Sequence, residues 1–322
     1  MKRIYLMLVI ALGLVSCGNS TNKKTSEVVE DPNQPAKVYF TKDITPENLM
    51  KLYNALDREA TGKVAIKLHM GEPGGNHFLK PDFVREFVTS LNGTFIDANT
   101  AYAGRRNTAE DHMKVAEEHG FTAVGPVDIL DADGDMELPI EGGKHLKNVL
   151  IGSHFANYDF TVILTHFKGH AMGGFGGSIK NMSIGIASVA GKCMIHSAGK
   201  SSTNAWVGTE QNDFLESMAE GAKGIADYCG DNILYINVMN NLSVDCDCDS
   251  HPEPPRIADI GMLASLDPVA LDKACVDLVY QSPEEDRVHL VERIESRNGT
   301  LTLDHAEKLG LGSQKYELVT LE

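Results

Sequence analysis

The segment GHAMGGFGGSIKNMSIG, residues 169–185, sets four glycines, Gly173, Gly174, Gly176 and Gly177, between two reactive side chains, His170 and Lys180. Glycine loses more backbone freedom on folding than any other residue, so such a cluster marks a tight turn or a backbone that approaches a ligand closely. His166 and Lys168 precede the cluster and His196 follows it. Imidazole transfers protons near neutral pH, and a lysine ammonium supplies a compact positive charge. Acid–base chemistry on a small anion is therefore expected, with His170 and Lys180 as catalytic candidates. The four glycines, Lys168 and Lys180 are the candidates for contacting a cofactor. A nucleotide P-loop needs lysine directly after glycine, then Ser or Thr, and GGSIKN lacks that order. A backbone nest for an anion, or a helix N-terminus beginning near Lys180, is expected instead. The alternative is a structural glycine turn with solvated lysines and a histidine at the edge of the core.

A second loop runs Asp245, Cys246, Asp247, Cys248, Asp249, Ser250, His251. Two thiolates one residue apart can hold a soft metal through both sulfurs, although structural zinc usually takes a wider spacing. Cys246 and Cys248, with His196, are the candidate metal ligands, and the expected cofactor is a divalent metal, nickel or zinc. Alternatively, one cysteine packs as a small apolar residue and the other is incidental. The flanking aspartates are expected to raise both thiol pKa values by like-charge repulsion, leaving poorly reactive thiols without a cation. A third loop, 69–77, offers His69, Glu72 and His77 as ligands or as ordinary loop polars.

Something must hold these loops together. Strand-like runs at 37–40, 63–70, 94–99, 159–167, 232–239 and 315–321 alternate with helical periodicity at 45–60, 80–91, 108–120, 213–230 and 267–280, and residues 283–299 follow the last helix. That alternation predicts an α/β fold with a largely parallel sheet flanked by helices. In such folds the functional loops leave the carboxyl ends of strands. The strands at 63–70, 159–167 and 232–239 each lead into one of the three loops. Cys246 or Cys248 is accordingly expected at the rim of the His170/Lys180 pocket.

The chain of 322 residues carries a formal net charge of −16. Such a balance argues against nucleic acid as a partner and against electrostatic retention on anionic lipid. A small anion would need a local positive site. At the N-terminus, Lys2 and Arg3 precede an apolar run, residues 4–15, too short to span a bilayer comfortably. LVSC, ending at Cys17, resembles a bacterial lipobox, which implies export, lipidation of Cys17 and a membrane attachment through lipid alone at the cell envelope. Residues 18–36 read as a polar flexible tether, and 37–322 as the folded domain. Five cysteines remain after Cys17. In an exported chain an odd number leaves at least one free or metal-bound.

Together HFKGHAMGGFGGSIKNMSIGIASVAGK (166–192), HS (196–197), DCDC (245–248) and DIGMLASLDPVALDKACVDLV (259–279) resemble domain-of-unknown-function family 362, over the chain from about residue 37. Many relatives carry a two-cluster ferredoxin insert between the HS and DCDC segments. Here residues 198–244 hold only Cys229, so no iron–sulfur cluster of ferredoxin type is expected. More distantly, the chain is similar to the nickel-pincer lactate racemases. That resemblance implies that Lys180 holds a nicotinate-derived pincer, that His170 is an acid/base, and that His196 ligates nickel. It implies hydride removal and return at a 2-hydroxy acid. The racemases carry a further histidine in a THR-like segment; ANTAYAGRRNT (98–108) has none, leaving Tyr102, Arg105 or Arg106 as substitutes or anion binders. Two functions follow as expectations. One is a metal- or pincer-dependent oxidoreductase or isomerase on a small hydroxy acid. The other is a non-catalytic module of the cell envelope that binds a metal or a small anion.

Overall fold

Phe160–His166 and Ile233–Met239 are buried at every position, as strands covered on both faces must be. They lie side by side in parallel, Ile163 opposite Tyr235. The computed structural model describes residues 34–322. In chain order its strands are β1 (Ala36–Thr41), β2 (Val64–Lys67), β3 (Thr94–Asp97), β4 (Val127–Ile129), β5 (Asp135–Pro139), β6 (Asn148–Gly152), β7 (Phe160–His166), β8 (Lys168–His170), β9 (Gly174–Gly176), β10 (Ile233–Met239), β11 (Gly261–Ser265) and β12 (Tyr316–Thr320). Its helices are α1 (Pro46–Ala55), α2 (Pro81–Ser90), α3 (Ala109–Glu118), α4 (Ser178–Ile186), α5 (Val189–His196), α6 (Gln211–Cys229), α7 (Pro268–Gln281), α8 (Glu284–Ser296) and α9 (Leu301–Lys308).

The main sheet has the order β12-β1-β11-β10-β7-β2-β3-β4. Only β11 runs antiparallel to its neighbours, β1 and β10. The α/β fold with a largely parallel sheet is therefore what the chain adopts. Successive strand residues point to opposite faces. Ile163 and Tyr235 join one apolar cluster, while Val162, Leu164, Leu234 and Ile236 join the other. Each such side chain removed from water contributes about 1.5–3 kcal/mol, so both faces need their helix layer.

Local signals start several helices. The Thr45 hydroxyl accepts from the Asn48 N–H ahead of α1, Thr108 does the same for Asp111 ahead of α3, and Asp267 caps α7. Helix α1 stops at Ala55, short of the expected residue 60, because Asp57 turns the chain through the left-handed region at φ 49°. The strands β4 and β11 and the hairpins β5–β6 and β8–β9 arise where no strand was expected; β4, β8 and β9 have three residues each, too few for a period to register. No helix among the described residues is long and apolar enough to cross a membrane. The lipobox with Cys17 and nearly all of the tether lie outside the described residues.

Candidate functional site

The three loops after β2, β7 and β10 are tied to one another by backbone hydrogen bonds. Glu72 N–H donates to the Asp247 carbonyl at 3.1 Å, and Gly169 N–H donates to the Ser243 carbonyl at 2.8 Å. Between them and helices α4 and α5 lies a cavity. His170, Lys180 and His196 all line it, as do Lys168 and Cys248.

The glycines divide. Gly176 and Gly177 line the cavity, whereas Gly173 and Gly174 do not. Gly173 donates its N–H to His170 Nδ1 at 2.8 Å. Gly174, at φ 79°, packs against the backbone of Ile294 and Gly299, where a side chain would not fit. Gly177 precedes α4, and a Cβ there would collide with the Asp272 carboxylate. That carboxylate accepts from Ser178 N–H at 2.7 Å, Ile179 N–H at 3.0 Å and Asn237 Nδ2 at 2.8 Å. The helix N-terminus expected to receive an anionic ligand is thus filled by the chain's own Asp272. Burial raises that carboxyl to about 6.

Two imidazoles at the cavity are held in opposite tautomers. His170 Nδ1 accepts from the N–H groups of Gly173 and Met172, so the ring proton sits on Nε2. His196 Nδ1 stands 2.7 Å from the Lys192 carbonyl, which can only accept, so its proton sits on Nδ1 and Nε2 keeps a free electron pair. Burial depresses both rings, His196 to about 4, and keeps them neutral at physiological pH. His196 also stacks on Phe214, with ring centroids 5.0 Å apart.

The thiols depart from the sequence-based expectation. Cys246 Sγ accepts from Cys248 N–H at 3.4 Å and from Lys180 Nζ at 3.6 Å. Hydrogen bonding from the Cys248 thiol, then the Lys180 charge and His170, outweigh burial and hold Cys246 well below an ordinary thiol. Cys248 is pushed well up by the same hydrogen bond and by burial. Lys180 is raised in turn, because the Cys246 and Cys248 sulfurs overcome its desolvation. The aspartates do not repel both thiols as expected, since they are engaged elsewhere. Asp247 lies 2.9 Å from His166 Nδ1 and from Lys168 Nζ, and Asp245 lies 3.3 Å from Arg293. The ligand atoms of His170, Cys246 and Cys248 lie within 4.8 Å of one another, a possible metal-binding group. His196, the ligand expected beside the two cysteines, lines the same cavity outside that group.

Three further residues at the cavity went unnoticed in the sequence: Lys67, Asp97 and Lys192. Lys67 is 1% exposed and lies 3.2 Å from Asp97 and 2.9 Å from Asn181 Oδ1. Burial would raise Asp97, but Lys67 and His112 overcome it and hold the carboxyl well below its usual range. The available signal was a charged residue ending an otherwise apolar strand, as in VAIK and TFID. Tyr102 and Arg106 line the cavity. Arg106 lies 2.6 Å from Glu72 and 3.6 Å from Asp97. Arg105 instead pairs with Glu118 on the surface. His69 joins the lining, whereas Glu72 and His77 do not. The lining thus offers five cationic side chains, Lys67, Arg106, Lys168, Lys180 and Lys192, against one carboxylate, Asp97.

Fold and cavity together define an α/β protein with a buried cationic pocket at the carboxyl edge of its sheet. The family described as Domain of unknown function (DUF362) matches residues 64–277, well over half of the chain, and the chain belongs to that family. Among solved structures, the lactate racemase apoprotein from Thermoanaerobacterium thermosaccharolyticum is similar at a TM-score of 0.37 and 17% identity, over 62% of this chain and 50% of that one. A structural-genomics crystal structure of a Thermotoga maritima protein is similar at a TM-score of 0.45 and 12% identity, over 73% of this chain and 58% of that one. The chain therefore spans less than two thirds of the length of either. No curated protein matches it.

Proposed function

We propose that this protein is a metal- or pincer-cofactor-dependent oxidoreductase or isomerase acting on a small hydroxy acid, held at the bacterial cell envelope by lipid on Cys17. Its main support is the pair of imidazoles in opposite tautomers on one cavity with Lys180. A metal-ligating histidine characteristically donates its second ring N–H to a carbonyl or carboxylate. His196 does so to Lys192, leaving Nε2 ready for a soft divalent ion such as nickel or zinc. His170 presents Nε2–H, fits less well as a ligand at that atom, and suits the role of proton donor to a substrate oxygen. Lys180, on the first turn of α4, is the amine placed to hold a pincer group. When bound, that group would supply the hydride acceptor and donor at the hydroxyl-bearing carbon. The remaining work falls to this chain's residues: cations to bind the carboxylate, and His170 to hold a proton at Nε2.

Tyr102 and Arg106, where the racemases have a histidine, favour a second reading, a non-catalytic module that binds a small anion or metal. Metal analysis and intact mass of the purified protein separate the two. The enzyme reading expects bound metal that His196→Ala loses, or a covalent adduct that Lys180→Ala loses, together with interconversion of D- and L-lactate. Metal-free, unmodified protein that binds lactate unchanged would leave the binding module. For the anchor, Cys17→Ser should move the protein from the membrane fraction to the soluble one; an unacylated, soluble wild type would end that part of the proposal.

A further inference from the structure

Four of the five cations at the cavity have an anionic partner beside them. Lys67 has Asp97, Arg106 has Glu72, Lys168 has Asp247, and Lys180 has the Cys246 sulfur. Lys192 differs. Its Nζ donates to two backbone carbonyls, Ala187 at 2.5 Å and Ala98 at 3.4 Å. Ala187 closes α4, where a helix leaves carbonyls without partners, and Ala98 follows the end of β3. An ammonium has three donors, so one N–H remains. The side chain is 7% exposed and lines the cavity, which leaves the cavity as the place where that donor can be satisfied.

We propose that Lys192 is the anchoring and specificity-determining residue for the ligand, its third N–H binding the carboxylate of a small organic acid. This rests on the reading of the cavity as a small-anion site and names the group that recognises the anion. A buried ammonium without a contacting counter-ion is costly, and a bound carboxylate would supply one through a charge-assisted hydrogen bond. Among the described residues Lys192 makes no ion pair: Asp131 and Asp97 attract the amine from farther off, Lys67 and Arg106 repel it, and His112 and His196 face it as rings whose pKa burial lowers. A ligand bringing one full negative charge fits this position, and a neutral one of the same shape does not.

The test compares L-lactate with its neutral isostere lactamide, read through the fluorescence of Trp206, the chain's single tryptophan, which lines the cavity. Wild type should prefer lactate by about tenfold or more, the effect of one hydrogen bond to a charged group. Lys192→Met should erase that preference, whereas Lys114→Gln, which removes a surface charge from the Glu110 and Asp111 pairs, should keep it. If Lys192→Met does not fold, wild type still decides: lactate, and not lactamide, should protect Lys192 from reductive methylation, as mapped by mass spectrometry. A folded Lys192→Met that keeps the preference, a wild type without one, or methylation of Lys192 undiminished by lactate would each overturn the inference. A protein that binds lactate through Lys192 yet holds no metal or adduct and leaves lactate unchanged would sink the enzyme reading and leave this inference standing.

Discussion

Replacing Asp97 by asparagine would remove the carboxylate that lies 3.2 Å from Lys67 Nζ and 3.6 Å from Arg106 Nη1. Arg106 would keep Glu72 at 2.6 Å, but Lys67 would keep only the neutral Asn181 Oδ1. Breaking one partner from a buried ion pair costs about 3–5 kcal/mol. The cost has a ceiling, because Lys67 can shed its proton instead. At about 1.4 kcal/mol for each of the roughly 3.4 units between pH 7 and an ordinary lysine value, that route costs about 5 kcal/mol. Asp97→Asn should therefore lose about 3–5 kcal/mol and on the order of 10 °C in Tm. The double variant Lys67→Met, Asp97→Asn leaves the Arg106–Glu72 pair intact and should regain most of the loss, giving a coupling energy of roughly 3 kcal/mol. The pH dependence has a definite sign. Lys67 is already lowered by burial, and without Asp97 it falls further. Between the folded and unfolded values the unfolded chain binds the extra proton, so stability rises with pH there. The deficit against wild type should shrink by up to about 1.4 kcal/mol per unit from pH 7 to 9. Urea unfolding followed by Trp206 fluorescence and circular dichroism measures it, with the m-value unchanged. A deficit below about 1 kcal/mol, or one that stays flat with pH, would show that water reaches Lys67 and would refute the ion-pair reasoning.

Two further variants probe how the site is held. Asp272→Ala strips the acceptor from Ser178 N–H, Ile179 N–H and Asn237 Nδ2; with each buried donor costing about 1–3 kcal/mol unpaired, urea unfolding should show a loss of about 3 kcal/mol or more. A loss close to zero would mean that α4 does not need this cap. The ultraviolet absorbance of a thiolate should be present in wild type below the pH at which an ordinary thiol ionises, vanish in Cys246→Ser, and survive in Cys248→Ser, where a hydroxyl still donates to Cys246. Equal absorbance in wild type and Cys246→Ser would reverse the assignment of the charged sulfur.

The alternation of apolar periods was enough to announce an α/β fold, because period and capping are local properties. Thr45, Thr108 and Asp267 act on backbone two or three residues away, and the helices they start lie close to where the pattern puts them. Strand β11 reads as a short apolar run, and its antiparallel place between β1 and β10 depends on partners far along the chain. Glycine composition marks residues 173–177 as a special backbone, yet what each glycine faces comes from elsewhere: Ile294 and Gly299 for Gly174, Asp272 for Gly177. The same holds for charge. Beside Cys246 and Cys248 in the sequence stand aspartates that should raise both thiols, but folding turns Asp247 toward His166 and Lys168 and brings Lys180 and His170 to Cys246. Lys67, Asp97 and Lys192 are single charged residues within or at the ends of apolar segments, and nothing local marks them as a set. Residue type and order make His170, Lys180 and His196 legible as chemistry. Burial, tautomer and counter-ion are set by the folded backbone and by its packing, so only the packed structure decides which imidazole keeps a free electron pair and which lysine makes no ion pair.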